Sequence, residues 1–190
     1  HFGETNYCWL TYGSGTSKQM ARIPALRQPS PYQPATVIGK LFREDERVNI
    51  LSSGQEWLGG AMNPGERVAF AHPLPGLDTS QAVRFLFHLG ARSSAVSTMT
   101  IREHATQLGD PVVLGSTVID SYFDAQLKDA LAVRSAKLAG NQVQLGITYA
   151  TSSPGGNGYV DWYEIVYKKF LRAQNDLLVF NSPDTTAIAE

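Results

Sequence analysis

The amino-acid sequence predicts an all-β protein, an antiparallel two-sheet β-sandwich of jelly-roll type. Short runs of β-branched and aromatic residues recur along the sequence, and each ends at Gly, Pro, Asn or Ser. Few stretches repeat apolar residues at the three-to-four-residue spacing of a helix. Ten such runs fit in the 190 residues. This number favours one domain, residues 1–190, in which two sheets pack around a common core.

The predicted strands follow one another with turn residues between them. In sequence order they are 6–13, 18–26, 34–42, 66–74, 81–92, 97–105, 115–125, 142–150, 159–171 and 176–182. Alternation supports the strand at 81–92, where one face carries Val83, Phe85 and Phe87 and the other Arg84, Leu86 and His88.

The strand at 159–171 is mixed on both faces. Its two alternating sets are Val160, Trp162, Glu164 and Val166 on one side and Asp161, Tyr163, Ile165 and Tyr167 on the other. Such a pattern suits a strand with a neighbour on each side.

Residues 124–140 allow two interpretations. Leu127, Ala130, Leu131 and Arg134 have helical spacing. The same region, continued to residue 150, can also form a hairpin that turns at Gly140-Asn141. We favour the hairpin.

Composition excludes several classes of function. Hydrophobic residues make up 43% of the sequence and charged residues 17%, so a sizeable core is expected. A net charge of -1 without a basic cluster argues against nucleic-acid binding. No apolar stretch is long enough to predict a membrane span. The sequence begins at His1, which predicts an excised or processed segment of a longer protein.

The residues most often used in catalysis form no recognisable site. Cys8, the single cysteine, lies between Tyr7 and Trp9 in a predicted strand, where a buried, inert thiol is expected. The histidines, His1, His72, His88 and His104, match no metal-binding spacing, so hydrogen-bonded structural roles are expected for them. The Gly-rich segments 13–17 and 153–158 precede no helix and are predicted to be turns. The sequence therefore predicts no catalytic residue, metal or cofactor.

The segment 41–60, "LFREDERVNILSSGQEWLGG", combines acids, hydroxyls and a tryptophan. An enzyme working through Glu44, Asp45 and Glu56 is one interpretation, but no acidic cleft can be derived from one strand. Its acids and arginines neutralise one another. Trp57 is the best candidate among the tryptophans for an exposed ring, although such rings more often fill cores. We interpret Glu44, Asp45, Glu56 and Trp57 as a docking surface.

Four segments together resemble one protein family. "TNYCWLTYG", "KQMARIP", "LFREDERVNILSSGQEWLGGAM" and "GYVDWYEIVYKKFLRAQNDLLVF" occur in this order. This combination resembles the β-rich region N-terminal to the protease domain of gingipain-like cysteine proteases, in particular the type IX secretion sortases of Bacteroidetes. The likeness extends over nearly the whole sequence.

The resemblance implies a non-catalytic accessory domain of a secreted, outer-membrane or cell-surface protease. Its expected partners are a downstream catalytic domain of the same polypeptide, other type IX secretion components or surface polysaccharide. The family's catalytic His-Gly pair is absent, and Cys8 does not match the catalytic cysteine. The alternative is a carbohydrate-binding module of a cell-surface protein, which the sandwich pattern and its aromatic residues favour.

Overall fold

The computed structural model describes residues 13, 34–50, 57–118, 127–173 and 176–180. The protein divides into two compact units, His1–Gln33 and Pro34–Glu190. Of the first unit only Gly13 is described, so the described fold is that of the second unit. A single domain over residues 1–190 stays a prediction.

The described residues form nine strands in two antiparallel sheets. The strands are β1 (Thr36–Glu44), β2 (Arg67–Pro73), β3 (Val83–Arg92), β4 (Ser97–Glu103), β5 (Thr106–Gln107), β6 (Val112–Leu114), β7 (Lys128–Ala136), β8 (Gln142–Thr151) and β9 (Asn157–Phe170). One sheet has the order β1-β9-β3-β7, and the other has the order β2-β8-β4, with β5 and β6 both paired to β4. The predicted antiparallel β-sandwich is confirmed.

The core lies between the two sheets. Most of the largest fully buried side chains come from β3, β4, β8 and β9, namely Phe85, Phe87, Leu89, Met99, Leu145, Ile147, Tyr149 and Tyr163. Val83, Phe85 and Phe87 all face inward, as the alternation in 81–92 predicts. Burial of each such side chain stabilises the fold by about 1.5–3 kcal/mol.

The region 124–140 contains a strand, but the hairpin prediction is wrong. β7 pairs with β3, whereas β8 pairs with β2 and β4 in the other sheet. The turn at Gly140-Asn141 therefore leads from one sheet to the other. Leu138 is buried in this crossover, and the carbonyl of Asn141 accepts a hydrogen bond from the backbone of Leu74 at 2.7 Å.

Other strand predictions agree with the structure to different degrees. The strands predicted at 34–42, 66–74, 81–92, 97–105, 142–150 and 159–171 correspond to β1, β2, β3, β4, β8 and β9. Residues 115–118 follow β6 and are not part of a strand, and 176–180 form no regular strand either. The predicted strands 6–13 and 18–26 lie outside the described residues, except for Gly13.

A β-bulge interrupts β9 in the middle of its pairing with β3. His88 pairs with Trp162, but the next residue, Leu89, pairs with Val160, which leaves Asp161 as an extra residue. Tyr163, Ile165 and Tyr167 face the core as one predicted set. Before the bulge, the inward and outward positions are shifted by one residue. Val160 is therefore buried and does not share the face of Trp162. The unbroken alternation predicted for 159–171 is therefore wrong at its start.

No helix in the described part of the protein is long and apolar enough to cross a membrane.

Candidate functional site

Three of the four residues of the predicted docking surface are described, and the surface itself stays a prediction. Glu44 ends β1 opposite Trp162 and is exposed. Asp45, one residue further on, forms an ion pair with Arg47 at 2.8 Å. Trp57, the best candidate for an exposed ring in the sequence, is 43% exposed. Glu56 lies outside the described residues.

A second surface is formed by the solvent-facing side of the β1-β9-β3-β7 sheet, which we call the outer face. In β1, β3 and β7 it is formed by the residues that alternate with the inward ones. It carries Lys40, Phe42, Leu86, His88, Asp129, Leu131, Val133, Asp161, Trp162 and Glu164. Lys40 and Glu164 pair across it at 2.6 Å.

His88 lies at the centre of the outer face, between two carboxylates. Its Nδ1 is 2.6 Å from Asp161 Oδ2, and its Nε2 is 2.9 Å from Asp129 Oδ2. The bulge supplies Asp161, and β7 supplies Asp129. Burial alone lowers the pKa of His88, but the two hydrogen bonds and carboxylate charges outweigh it and raise this pKa above 6.5.

Aromatic rings form a row across three strands beside His88. The Trp162 ring lies 5.6 Å from the His88 ring in a stacked arrangement and 5.9 Å from the Phe42 ring in a tilted one. These centroid separations are within the range of favourable ring pairs. The row and its flanking carboxylates combine apolar ring surface with hydrogen-bond acceptors.

Large apolar side chains are exposed on the same outer face. Phe42 is 53% exposed, Leu131 63% and Val133 47%. Leu131 pairs with His88, and Val133 pairs with Leu86. Single exposed apolar residues are common, but a set on one sheet face is typical of an interaction surface. The outer face is therefore the principal candidate for contact with a partner.

The sandwich also has a cleft between β1 and β2, the terminal strands of the two sheets in the described order. We call it the edge cleft; its volume is about 520 Å³. Its charged and polar lining includes Arg43, Asp45, Arg47, Glu66, His72, Asp161 and Tyr163. Val68, Phe70 and Met62 supply apolar wall.

The His72–Tyr163 pair joins the two sheets within the edge cleft. His72 Nε2 and the Tyr163 hydroxyl lie 2.5 Å apart, and Phe70 packs against the Tyr163 ring with centroids 4.9 Å apart. Burial, followed by the charge of Arg43, lowers the pKa of His72 below 6.5. Burial raises the pKa of Tyr163 to about 12 against the opposing effect of Arg43. At neutral pH the imidazole is therefore uncharged and the phenol protonated.

Several residues considered for catalysis in the sequence have structural contacts instead. His72 and His88 are hydrogen-bonded, as expected. His104 is exposed beside Glu103, at 3.4 Å. Cys8, Trp9 and His1 lie outside the described residues. Among the residues that the structure describes, no cluster of His, Cys, Asp or Glu is arranged to hold a metal ion.

The sequence did not indicate the His88 site or the edge cleft. His88 is separated from Asp129 by 41 positions and from Asp161 by 73. The one usable signal was the outward position of His88 in the alternation of 81–92. Asp161 reaches His88 because of a bulge, which the sequence pattern does not reveal.

Comparison with known proteins gives a structural likeness only. No family model and no curated protein matches the sequence. The crystal structure of dimeric latent PorU from Porphyromonas gingivalis matches with a TM-score of 0.61 and 17% identity. The match covers 76% of this protein and 14% of that one. At this identity the match shows the fold.

Carbohydrate-binding modules are also among the structural neighbours. A CBM36-1 domain of a multidomain xylanase from the hindgut metagenome of Trinervitermes trinervoides matches with a TM-score of 0.43 and 8% identity, over 67% of this protein and 96% of that domain. A family 35 module from Clostridium thermocellum matches with a TM-score of 0.42 and 16% identity. The match covers 68% of this protein and 90% of that module. These scores are too low to support an argument about function.

Proposed function

We propose that the protein is a non-catalytic accessory domain of a secreted gingipain-like cysteine protease of the type IX secretion sortase kind. In this proposal it lies outside the cytoplasm, at the outer membrane or cell surface, and packs against the catalytic domain of the same polypeptide. The observation that carries the proposal is the exposed apolar outer face, with Phe42, Leu131 and Val133. The family resemblance of the sequence and the fold likeness to PorU support it.

The outer face suits a protein partner because its apolar area is flanked by charges. Domain interfaces combine apolar contact with a polar rim. Leu131 and Val133 lie on β7, at one end of the sheet order, where a neighbouring domain can approach them. The Lys40–Glu164 pair and the exposed Asp129 provide the polar surroundings.

Site-specific photo-crosslinking in the native gene product tests the proposal. A photoreactive amino acid replaces Leu131 on the outer face, and in the control variant it replaces Val113, which is 65% exposed on β6 of the other sheet. Crosslinks from position 131 to a caspase-like domain of the same polypeptide are expected, with none from position 113. A gene product without a cysteine peptidase domain, or equal crosslinking from both positions, contradicts the proposal.

Residues 1–190 alone are expected to show no peptidase activity. The one cysteine, Cys8, does not match the catalytic cysteine of the family that the sequence resembles. A peptide cleavage assay with a type IX secretion signal substrate measures this. Cleavage that disappears in Cys8→Ala would overturn the proposal.

A carbohydrate-binding module is the second candidate, and the ring row of Phe42, Trp162 and His88 favours it. Sugar rings pack on aromatic faces while their hydroxyls donate to nearby carboxylates such as Asp129. A glycan array with surface polysaccharides tests it. Loss of binding in Phe42→Ala and Trp162→Ala, with binding retained in Trp57→Ala, is the expected result. A sugar that binds all three variants equally excludes the ring row as its binding site.

A further inference from the structure

We propose that the edge cleft is a binding site for a carboxylate with a short apolar substituent, held by Arg43 and the His72–Tyr163 pair. The inference goes beyond the proposed function, because that function uses the outer face and not the cleft. Arg43 supplies the charge, the His72–Tyr163 pair supplies a hydrogen-bond donor, and the strand β2 supplies the apolar wall.

Arg43 is the charged group available to a ligand in this part of the cleft. It is exposed and pairs with Tyr163 in the register of β1 and β9. It forms no ion pair with any described residue, whereas Arg47 pairs with Asp45 at 2.8 Å. A guanidinium binds a carboxylate through two parallel hydrogen bonds, which makes a carboxylate its preferred partner.

The His72–Tyr163 pair retains a donor in either tautomer. When the Tyr163 hydroxyl donates to Nε2, the neutral His72 ring carries its proton on Nδ1 and can donate from there. When Nε2 donates to the phenol oxygen, the Tyr163 hydroxyl is free to donate. In both cases one N–H or O–H group of the pair is left to donate.

The carboxylates that line the rest of the cleft do not compete for Arg43. Asp45 is paired with Arg47. Glu66 Oε2 accepts hydrogen bonds from the Asn63 backbone and side chain at 2.9 and 3.3 Å. Asp161 Oδ2 is bonded to His88, and its Oδ1 is buried without a hydrogen bond to any described residue. Arg43, and none of these acids, is the charge that acts on His72 and Tyr163.

The wall of the cleft selects a ligand with an apolar body. Val68 and Phe70 are half-buried on β2, and Ala69 and Ala71, which alternate with them, are exposed. A volume of about 520 Å³ lies within the range of small-molecule sites. A free short aliphatic acid and the C-terminus of a peptide that ends in a small apolar residue share this chemistry.

Calorimetric titration at pH 7 tests the inference and distinguishes a free aliphatic acid from a peptide C-terminus as the ligand. The probes are butyrate and the acetylated peptide Ala-Ala-Val with a free carboxylate, and the neutral controls are butyramide and the same peptide as its amide. Binding of both acids assigns the site to free carboxylates, and binding of the peptide acid alone assigns it to peptide C-termini. Failure of both acids to bind, or equal binding of acid and amide, overturns the inference.

Matched variants locate the binding. In Arg43→Gln we expect affinity to fall by about tenfold or more, because a charge-assisted hydrogen bond is lost. Arg43→Lys keeps the positive charge but cannot form two parallel hydrogen bonds to a carboxylate, so a smaller loss of affinity is expected. Lys137→Gln, an exposed cation in the β7–β8 connection, is the control with unchanged affinity. Unchanged affinity in Arg43→Gln, with an unaltered melting curve, overturns the inference without affecting the outer-face proposal.

Discussion

His88 couples stability to pH through its two carboxylate partners. Its pKa is raised in the folded protein, so the folded state binds a proton more tightly than the unfolded state does. The stabilisation from His88 is therefore fully present below pH 6.5 and is lost as pH rises through the raised pKa. The pKa of Asp129 is lowered, first by its hydrogen bond from His88, so its own contribution is lost only in acid, as pH falls through that lowered value.

The first prediction concerns how the stability difference between wild type and His88→Asn changes with pH. In chemical denaturation, wild type should exceed His88→Asn in free energy of unfolding by more at pH 6 than at pH 9, because the amide does not titrate. The pH dependence of stability that comes from His72 runs in the opposite direction. Because the pKa of His72 is lowered, its contribution to stability falls as pH decreases below 6.5. This contribution is common to both proteins and cancels in the difference.

His104→Asn is the control for the pH experiment. His104 is exposed at the β4–β5 turn, and its φ of 50° is one that asparagine tolerates. His104→Asn removes a histidine that lies outside the His88 site. A His88 difference that does not change between pH 6 and pH 9 would show that the carboxylates do not hold the proton.

The second prediction concerns the hydroxyl of Tyr163. Tyr163→Phe removes the bond to His72 and leaves the ring in place, so a loss of about 1 kcal/mol in the free energy of unfolding is expected. Tyr167→Phe is the matched control, since the Tyr167 hydroxyl has no hydrogen-bond partner among the described residues. Equal losses in the two variants would mean that the His72–Tyr163 bond contributes nothing to stability.

At the level of elements, Gly59 packs closely against the backbone next to the bulge in β9. A Cβ atom added to Gly59 would lie 2.2 Å from the carbonyl oxygen of Val160, the residue before the bulged Asp161. Because the neighbour is backbone, the strand itself must move to make room.

The third prediction is therefore a loss of about 1–3 kcal/mol or more in the free energy of unfolding for Gly59→Ala. Gly140→Ala is the control, because nothing lies within 4 Å of an added Cβ there, and its stability should be unchanged or slightly increased. The bond between His88 and Asp161 should weaken in Gly59→Ala, which the pH dependence of stability also measures. Retention of full stability in that variant would contradict the packing argument.

The sequence predicted the strands better than their pairing. Alternation in 81–92 correctly identified the inward face, because the period of two is a local property of β3. The hairpin at Gly140-Asn141 was wrong because a turn signal does not specify whether the backbone returns to the same sheet. The edge cleft was not predictable for the same reason, since β1 and β2 belong to different sheets.

For the whole molecule, the position of a residue in the layers decides its contribution to stability. The fourth prediction compares Phe87→Ala in the core with Leu131→Ser on the outer face. The first should lose about 3–5 kcal/mol of the free energy of unfolding, because a buried ring leaves a cavity. The second should change it by no more than about 0.5 kcal/mol, because Leu131 is exposed. A large loss in Leu131→Ser would show that the outer face is structural and not an interaction surface.

The pairing of β1 with β9 has a consequence for how the protein is made. β9 is the strand with which β1 pairs in the described sheet, so β1 lacks this neighbour until residues 157–170 have been synthesised. Long-range pairing of this kind delays folding, because the intervening polypeptide must first be brought together. On the ribosome, β1 therefore remains unpaired with β9 while more than a hundred further residues are synthesised. A nascent polypeptide arrested before β9 should be digested readily by protease, and one that includes β9 should be protected.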